Sequence, residues 1–461
     1  MVVVADVVTA VVVVDAADAR TFDRASTPTQ RNATMTADAE AHVVRAPSAM
    51  QRTDLPNGLT VLSEAVPGVR SVAFGAWVRA ATLHEQPAVM GVSHFLEHMV
   101  FKGTTTRSAQ EIALSLETLG GSLDAYTERE HTSFQARVLD EHLPIAADVI
   151  ADIMFRPMLR DADLALERKV ILEEISMVDD TPDDVIFDHH NRELWGEHPH
   201  GYPILGTRDT VSALGVPELR ALHERAYHPA RVVVAAAGAV QHDQLLDVLD
   251  RAGWMTLPAG DITPFDVPIA NAKQSVRKHI PRKDIAQTHV VLGGRSIAHR
   301  DPRRYAFALL SMLLGGGMSS RLFQRVREEL GLAYSVHTFQ SSYADTGSHG
   351  VYLATAPETA QQALDAVREV LLSVVSDGLP DAELAAGRRQ LRGQLVLSME
   401  GVSLRMYRAA GTALYGEPHR TIDELLALVD AIDSETIRAV AQDFFDPSRM
   451  TLVSLGPKGV R

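Results

Sequence analysis

Two histidines and a glutamate in the segment His94-Phe95-Leu96-Glu97-His98 have the residue types and spacing of a metal centre. On a helix, positions i and i+4 share a face, so His94 and His98 can direct both imidazoles at one ion. Glu97 lies beside them, where a carboxylate that does not bind the metal can take a proton from a metal-bound water. The order HxxEH is the inverse of the zinc motif HExxH. Since such a pattern arises by chance in roughly one chain in twenty of this length, two histidines on a polar helix face remain the alternative.

A third protein ligand is expected, because catalytic zinc sites carry three protein ligands and leave one position open. The candidates lie in the acidic segment 163–175, where Glu167 and Glu174 are two helical turns apart and share a helix face. Glu173 points about 100° away from Glu174. One carboxylate of the shared face can bind the metal while the other orients a ligand. An exposed acidic helix face would give the same pattern, so the segment alone leaves the choice open.

The strands and helices around these residues occur in an order that is repeated later in the sequence. A strand that begins at Thr132 and the helix after it match a strand that begins at Gly350 and the helix after that one. Asp163 heads a helix that matches one headed by Glu383. The intervals within the two pairs nearly agree, which predicts an internal duplication with a period of about 220 residues, with two generic αβ modules as the alternative.

The fold class follows from this plan. Strands outnumber those of a strictly alternating βαβ pattern, so we predict an α+β fold of two homologous domains, each a largely antiparallel sheet packed with helices. We expect a disordered extension at 1–48, a metal-bearing catalytic domain at 49–262, a proline-containing linker at 263–280 and a second domain without metal ligands at 281–461.

Composition restricts the partners and the chemistry. The 461 residues carry a net charge of −15, which argues against a nucleic-acid partner. There is no cysteine, so any metal must be bound by histidine and carboxylate. No apolar run reaches the roughly 20 residues that span a bilayer, since Asp6 and Asp15 interrupt the valine-rich opening. We therefore expect no membrane partner and, by default, a cytoplasmic location.

Two segments resemble the pitrilysin/insulinase family of HxxEH metallopeptidases. They are GVSHFLEHMVFKGT at 91–104 and ERKVILEEI at 167–175, and they are similar above all to short members related to the mitochondrial processing peptidase β-subunit. The interval from His98 to Glu174 is the one at which that family places its third zinc ligand. The resemblance thus implies Zn²⁺ on His94, His98 and Glu174, with Glu97 as general base and Glu167 as a supporting carboxylate.

The resemblance extends to two further segments. Residues 120–127 look like the edge strand on which the family binds substrate, which implies that Asp124 and Ala125 contact the peptide. The commoner residue at position 124 is Asn. Arg327 and Tyr334 match the RxxxxxxY pair, which implies that they hold substrate and stabilise the oxyanion of the tetrahedral intermediate.

The second repeat lacks the ligands of the first. The repeat interval places Gln394 opposite Glu174 and Gly387 opposite Glu167. The counterpart of the histidine pair falls near 312–317, in Met-Leu-Leu-Gly-Gly-Gly. We therefore expect one zinc ion per chain.

The resemblance implies a zinc endopeptidase that hydrolyses extended or unfolded polypeptides inside a closed chamber. Short members of the family enclose that chamber between two chains, which implies a homodimer, or a heterodimer with a homologous subunit, with Arg327 and Tyr334 serving the partner's zinc site. The alternative is a non-catalytic structural or substrate-presenting subunit. The retention of His94, Glu97, His98 and Glu174 argues against that alternative.

Overall fold

The computed structural model describes residues 50–461, so the predicted extension at 1–48 lies outside the described residues. That region contains a π-helix at Phe323–Glu329 and fourteen α-helices. The α-helices are α1 (Val92–Val100), α2 (Ala109–Glu117), α3 (Leu143–Phe155), α4 (Asp161–Asp179), α5 (Pro182–Trp195), α6 (Arg208–Ala213), α7 (Val216–Ala226), α8 (His242–Arg251), α9 (Arg304–Gly315), α10 (Ala360–Asp377), α11 (Asp381–Ser398), α12 (Val402–Leu414), α13 (Ile422–Asp430) and α14 (Ser434–Phe444). Its eleven strands are β1 (Gln51–Asp54), β2 (Thr60–Ala65), β3 (Ser71–Val78), β4 (Ser122–Thr127), β5 (Thr132–Leu139), β6 (Val232–Gly238), β7 (Arg277–Pro281), β8 (Thr288–Arg295), β9 (Ala333–Ser342), β10 (Gly347–Thr355) and β11 (Thr451–Gly456).

The first half is built on a six-stranded sheet in the order β1-β2-β6-β3-β5-β4. Neighbouring strands are antiparallel except β2 and β6, which are parallel. Every residue of β6 is buried, as is typical of a central strand that is covered on both faces. β4 lies at the edge, and β5 is its one partner among the described strands.

The second half repeats this topology in a five-stranded sheet with the order β7-β11-β8-β10-β9. Its single parallel pair is β7 with β11, which corresponds to β2 with β6. The predicted α+β fold of two homologous domains is therefore confirmed, with one parallel pair in each sheet. β7 begins at Arg277, so residues 277–280 of the predicted linker belong to the second sheet.

The two halves exchange one helix each. α12, from the second half, packs Met406 against Trp77 and its neighbours on the first sheet. α5, from the first half, packs Ile186 against Val453 and its neighbours on the second sheet. Each buried side chain of this size contributes about 1.5–3 kcal/mol. Each sheet is thus covered on one face by helices of its own half and on the other by a helix of the other half.

The remaining face of the first sheet carries the core that positions the histidine segment. Phe95, Leu96 and Met99 of α1 are fully buried in this core. His94, Glu97 and His98 occupy the other side of the same helix, as the 3.6-residue period requires. Within residues 50–461, no helix is both long and apolar enough to cross a membrane.

Candidate metal centre

The two histidines of α1 lie side by side. Their ring centroids are 4.6 Å apart, because positions i and i+4 stack on one helix face. His94 is buried and His98 is partly buried. Burial, assisted by the neighbouring His98, lowers the pKa of His94 to about 3. His94 is therefore a neutral imidazole, which is the form that binds a metal.

α4 packs against α1 and brings Glu174 to the histidine pair. Its Oε2 atom lies 3.8 Å from Nε2 of His94 and 3.6 Å from Nε2 of His98. One ligand atom from each of the three residues lies within 4.8 Å of the others, and no second such cluster of three occurs in residues 50–461. Helical spacing alone did not decide whether Glu167 or Glu174 is the third metal ligand. The structure directs Glu174 at the histidines and leaves Glu173 exposed.

The donor set fits a zinc ion. Two imidazole nitrogens and one carboxylate oxygen form one of the three-ligand sets that catalytic zinc sites use. Oε2 of Glu174 is buried and has no hydrogen-bond partner, although buried oxygens are almost always paired. A bound cation would satisfy this atom. His94, His98 and Glu174 are thus the residues that would hold the metal.

Glu167 orients His98 from behind. Nδ1 of His98 donates a hydrogen bond to Oε2 of Glu167 over 3.2 Å, which leaves Nε2 on the side of Glu174. Lys102 lies 2.7 Å from the other oxygen of Glu167, Oε1. Such a carboxylate fixes both the tautomer and the ring plane of a metal-binding histidine. Sequence reasoning missed Lys102, although it lies one helical turn after His98 and could have been sought there.

Glu97 is held by the edge strand. Its Oε2 atom accepts a hydrogen bond of 2.6 Å from the hydroxyl of Thr127, the last residue of β4. Burial raises the pKa of Glu97 to about 7, and the bond from Thr127 opposes that rise. A carboxylate with a pKa near neutrality is suited to accepting and returning a proton. The role of Thr127 is a second one that sequence reasoning missed.

β4 carries the predicted substrate-binding residues along the open edge of the first sheet. Asp124 is exposed and pairs with Gln135 of β5, while Ala125 is half-buried and pairs with Phe134. Their strand ends at Thr127, so the open edge leads directly to Glu97. The edge strand and the metal centre therefore form one continuous site.

Arg327 and Tyr334 form a separate pair in the second half. The guanidinium of Arg327 lies 4.3 Å from the centre of the Tyr334 ring and donates a 3.2 Å hydrogen bond to the Tyr334 carbonyl. Tyr334 is 73% exposed and lies on β9, the edge strand that corresponds to β4. Among the described residues, no hydrogen bond, ion pair or ring contact joins this pair to the metal centre of the same chain.

In the second half, the position that corresponds to Glu167 faces apolar side chains. A Cβ atom built on Gly387, the counterpart of Glu167, would lie 2.8 Å from Leu313 and 3.0 Å from Leu309. Leu309 and Leu313 share a face of α9 at the same i, i+4 spacing as the histidine pair of α1. Leu313 lies within the predicted counterpart at 312–317, and Leu309 lies one helical turn before it. Neither leucine offers a metal ligand.

Comparison with known proteins places this geometry among peptidases. Residues 60–208 match the family model described as insulinase (peptidase family M16), and residues 213–391 match the one described as peptidase M16 inactive domain. The chain is 40% identical to an uncharacterized zinc protease of Mycobacterium tuberculosis, over 89% of this chain and 94% of the relative. It is 37% identical to the uncharacterized zinc protease YmxG of Bacillus subtilis, over 89% of this chain and 99% of the relative.

Solved structures share the fold. A protease from Helicobacter pylori superposes with a TM-score of 0.83 at 19% identity, over 88% of this chain and 99% of that chain. A peptidase M16 inactive domain from Pseudomonas fluorescens gives 0.82 at 21% identity, over 90% of this chain and 99% of that chain. At these identities the likeness concerns the architecture alone.

Proposed function

This chain belongs to the insulinase (peptidase M16) family, and from this we propose that it is a zinc-dependent endopeptidase acting on extended or unfolded polypeptides. The observation that carries the proposal is the convergence of three metal donors, a half-buried carboxylate and an open strand edge. His94, His98 and Glu174 supply the donors. Glu97 and the end of β4 meet through the hydrogen bond from Thr127.

The chemistry divides between the metal and the chain. When bound, a zinc ion polarises the scissile carbonyl and lowers the pKa of water at its open position. Glu97 does not belong to the donor cluster and lies half-buried next to His98 on the same helix face, so it accepts the proton of the attacking water. It then returns this proton to the leaving amine. Glu167 and Lys102 keep His98 in the orientation that this reaction needs.

The substrate binds as an additional strand on β4. Extended peptides add to exposed sheet edges through main-chain hydrogen bonds, and no described strand occupies the outer side of β4. Peptide backbone beside Asp124 and Ala125 would run toward Thr127 and Glu97. This mode of binding selects segments that are already extended or unfolded, because a folded substrate has few free backbone groups.

Arg327 and Tyr334 complete the site of a partner chain. Their side chains meet each other, and Tyr334 is exposed on an edge strand. A second copy that faces this surface would bring a guanidinium and a phenol to the zinc centre, where both can stabilise an oxyanion. We therefore propose a dimer, of two identical chains or of this chain with a homologous subunit, that encloses the cleavage chamber.

The decisive experiment combines metal analysis with cleavage of an unstructured peptide by wild type and Glu97→Gln. We expect about one zinc per chain in both proteins and a loss of activity of about 10²–10⁴-fold in the variant. Glu173→Gln is the matched control, since Glu173 is exposed on α4 next to Glu174. Equal activity of Glu97→Gln and wild type would refute the mechanism.

A further inference from the structure

The two histidines of the proposed zinc centre are supported in different ways. Nδ1 of His98 is bound to Glu167, whereas Nδ1 of His94 is buried and has no hydrogen-bond partner. No side-chain hydrogen bond therefore sets the ring of His94. Its position depends on the backbone of α1 and on packing.

The backbone of α1 is fixed at its first turn by Glu85. This carboxylate accepts a 2.8 Å bond from the backbone N–H of Gly91 through Oε2 and a 2.9 Å bond from that of Ser93 through Oε1. Gly91 is the residue before the helix and has no side chain to cap it. Glu85 supplies that cap from a separate segment, with one carboxyl oxygen for each of the two backbone donors.

The same turn is held from the opposite side. A Cβ atom on Gly91, whose φ is +87°, would lie 2.6 Å from the carbonyl oxygen of Leu205. The hydroxyl of Thr210 donates a 2.9 Å bond to the carbonyl of Met90. The start of α1 is thus held between Glu85, which is only 5% exposed, and residues 205–210, which include the first turn of α6. His94 directly follows Ser93, one of the two residues that Glu85 holds.

We infer that Glu85 is the positioning residue of the metal ligand His94. It acts through the backbone of α1, as Glu167 acts on His98 through a side chain. The inference rests on the proposed zinc centre and adds a requirement to it. His94 can bind the same ion as His98 and Glu174 only if α1 is fixed along and about its axis. The buried carboxylate of Glu85 provides this restraint.

The test is the zinc affinity of the full chain with Glu85→Gln, measured by competition with a chelating dye. The amide keeps the shape but presents an NH₂ group to one of the two backbone donors. We expect affinity to fall by about 10–100-fold, the range found for residues that orient metal ligands. The visible spectrum of the Co²⁺-substituted protein, which reports the ligand geometry, should change as well.

Glu111→Gln is the matched control. Glu111 caps α2 by accepting a 2.8 Å bond from the backbone N–H of Ser108, and it does not contact the metal centre. Its zinc affinity and Co²⁺ spectrum should equal those of wild type. Thermal unfolding of the metal-free proteins separates a loss of stability from a loss of geometry. If Glu85→Gln does not fold, Glu85→Asp, which keeps the carboxyl group on a shorter side chain, is compared in the same way.

The outcomes separate the two proposals. A wild-type chain that binds no zinc would contradict the proposed function. A wild-type chain that binds zinc, with Glu85 variants of equal affinity and unchanged Co²⁺ spectrum, would contradict the role of Glu85 alone. Equal weakening by Glu85→Gln and Glu111→Gln would also overturn it, because the effect would then belong to helix capping in general.

Discussion

The two halves of this chain share the order of five strands, β2-β6-β3-β5-β4 in the first half and β7-β11-β8-β10-β9 in the second. They differ in the side chains that lie between one pair of packed helices in each half. In the first half, α1 and α4 direct His94, His98 and Glu174 at one point. In the second half, α9 and α11 meet through Leu309, Leu313 and Gly387. The difference indicates that the scaffold does not require the histidine pair, because leucines lie against Gly387 in the second half. The histidines and carboxylates of the first half are thus better explained by metal chemistry than by stability.

The largest loss of peptide cleavage is expected when a metal donor is removed from the first half. Glu174→Gln should lower peptide cleavage by about 10³-fold, since loss of bound metal forfeits several kcal/mol of transition-state stabilisation. Zinc content should fall with it. The reverse change at the counterpart position, Gln394→Glu, should leave about one zinc per chain, because Leu309 and Leu313 provide no nitrogen. A second zinc in Gln394→Glu would contradict the correspondence between the halves.

A somewhat smaller loss of cleavage is expected when Arg327 of the second half is replaced. Arg327→Ala should reduce cleavage by about 10²–10³-fold, the range for loss of one oxyanion donor, with zinc content unchanged. Mixing Arg327→Ala chains with Glu97→Gln chains should restore part of the activity, because one site of the mixed dimer then has every group intact. No recovery in mixed dimers that are shown to form would place Arg327 and Glu97 in the same chain's site.

The smallest loss of cleavage is expected when the hydrogen bond between the edge strand β4 and Glu97 is removed. Thr127→Val should lower cleavage by about tenfold, as expected for loss of a bond worth about 1.5 kcal/mol to a charged group. The hydroxyl lowers the pKa of Glu97, so its removal raises that pKa. Because Glu97 must be ionised to accept a proton, the acidic limb of the pH profile for kcat/KM should move to higher pH.

Thr338→Val is the control for that shift. Thr338 is buried in β9, and its hydroxyl donates to the backbone carbonyl of Ser311 in the second half. The same chemical change there should affect stability without moving the acidic limb. Identical pH profiles for wild type and Thr127→Val would show that the hydroxyl does not act on the general base.

The sequence predicted the parts of the molecule that follow from periodicity and interval. The i, i+4 spacing of His94 and His98 specified their shared face, and the two-turn interval between Glu167 and Glu174 did the same on α4. The choice of Glu174 over Glu167 needed the family interval, because helical geometry treats the two alike. The sequence did not predict the roles of Lys102, Thr127 and Glu85. Each acts through a contact in the folded chain, and no local sequence pattern indicates such a contact.

The crossed packing of α5 and α12 was equally beyond the sequence. Both helices are amphipathic in either arrangement, and a hydrophobic stripe does not specify which sheet it will cover. The contact of Leu309 with Gly387 was not predicted, for a related reason. The interval between the repeats varies along the chain, and only the contact with Gly387 defines the local correspondence.

The exchange of α5 and α12 makes the chain equivalent to a domain-swapped dimer whose two subunits have been joined by a peptide linker. A fragment that ends before β7 would lack the cover of its own sheet and would present α5 with its apolar side bare. We therefore expect neither repeat to fold on its own. Cleavage in the segment between α8 and β7 would leave two pieces that hold each other through the exchanged helices.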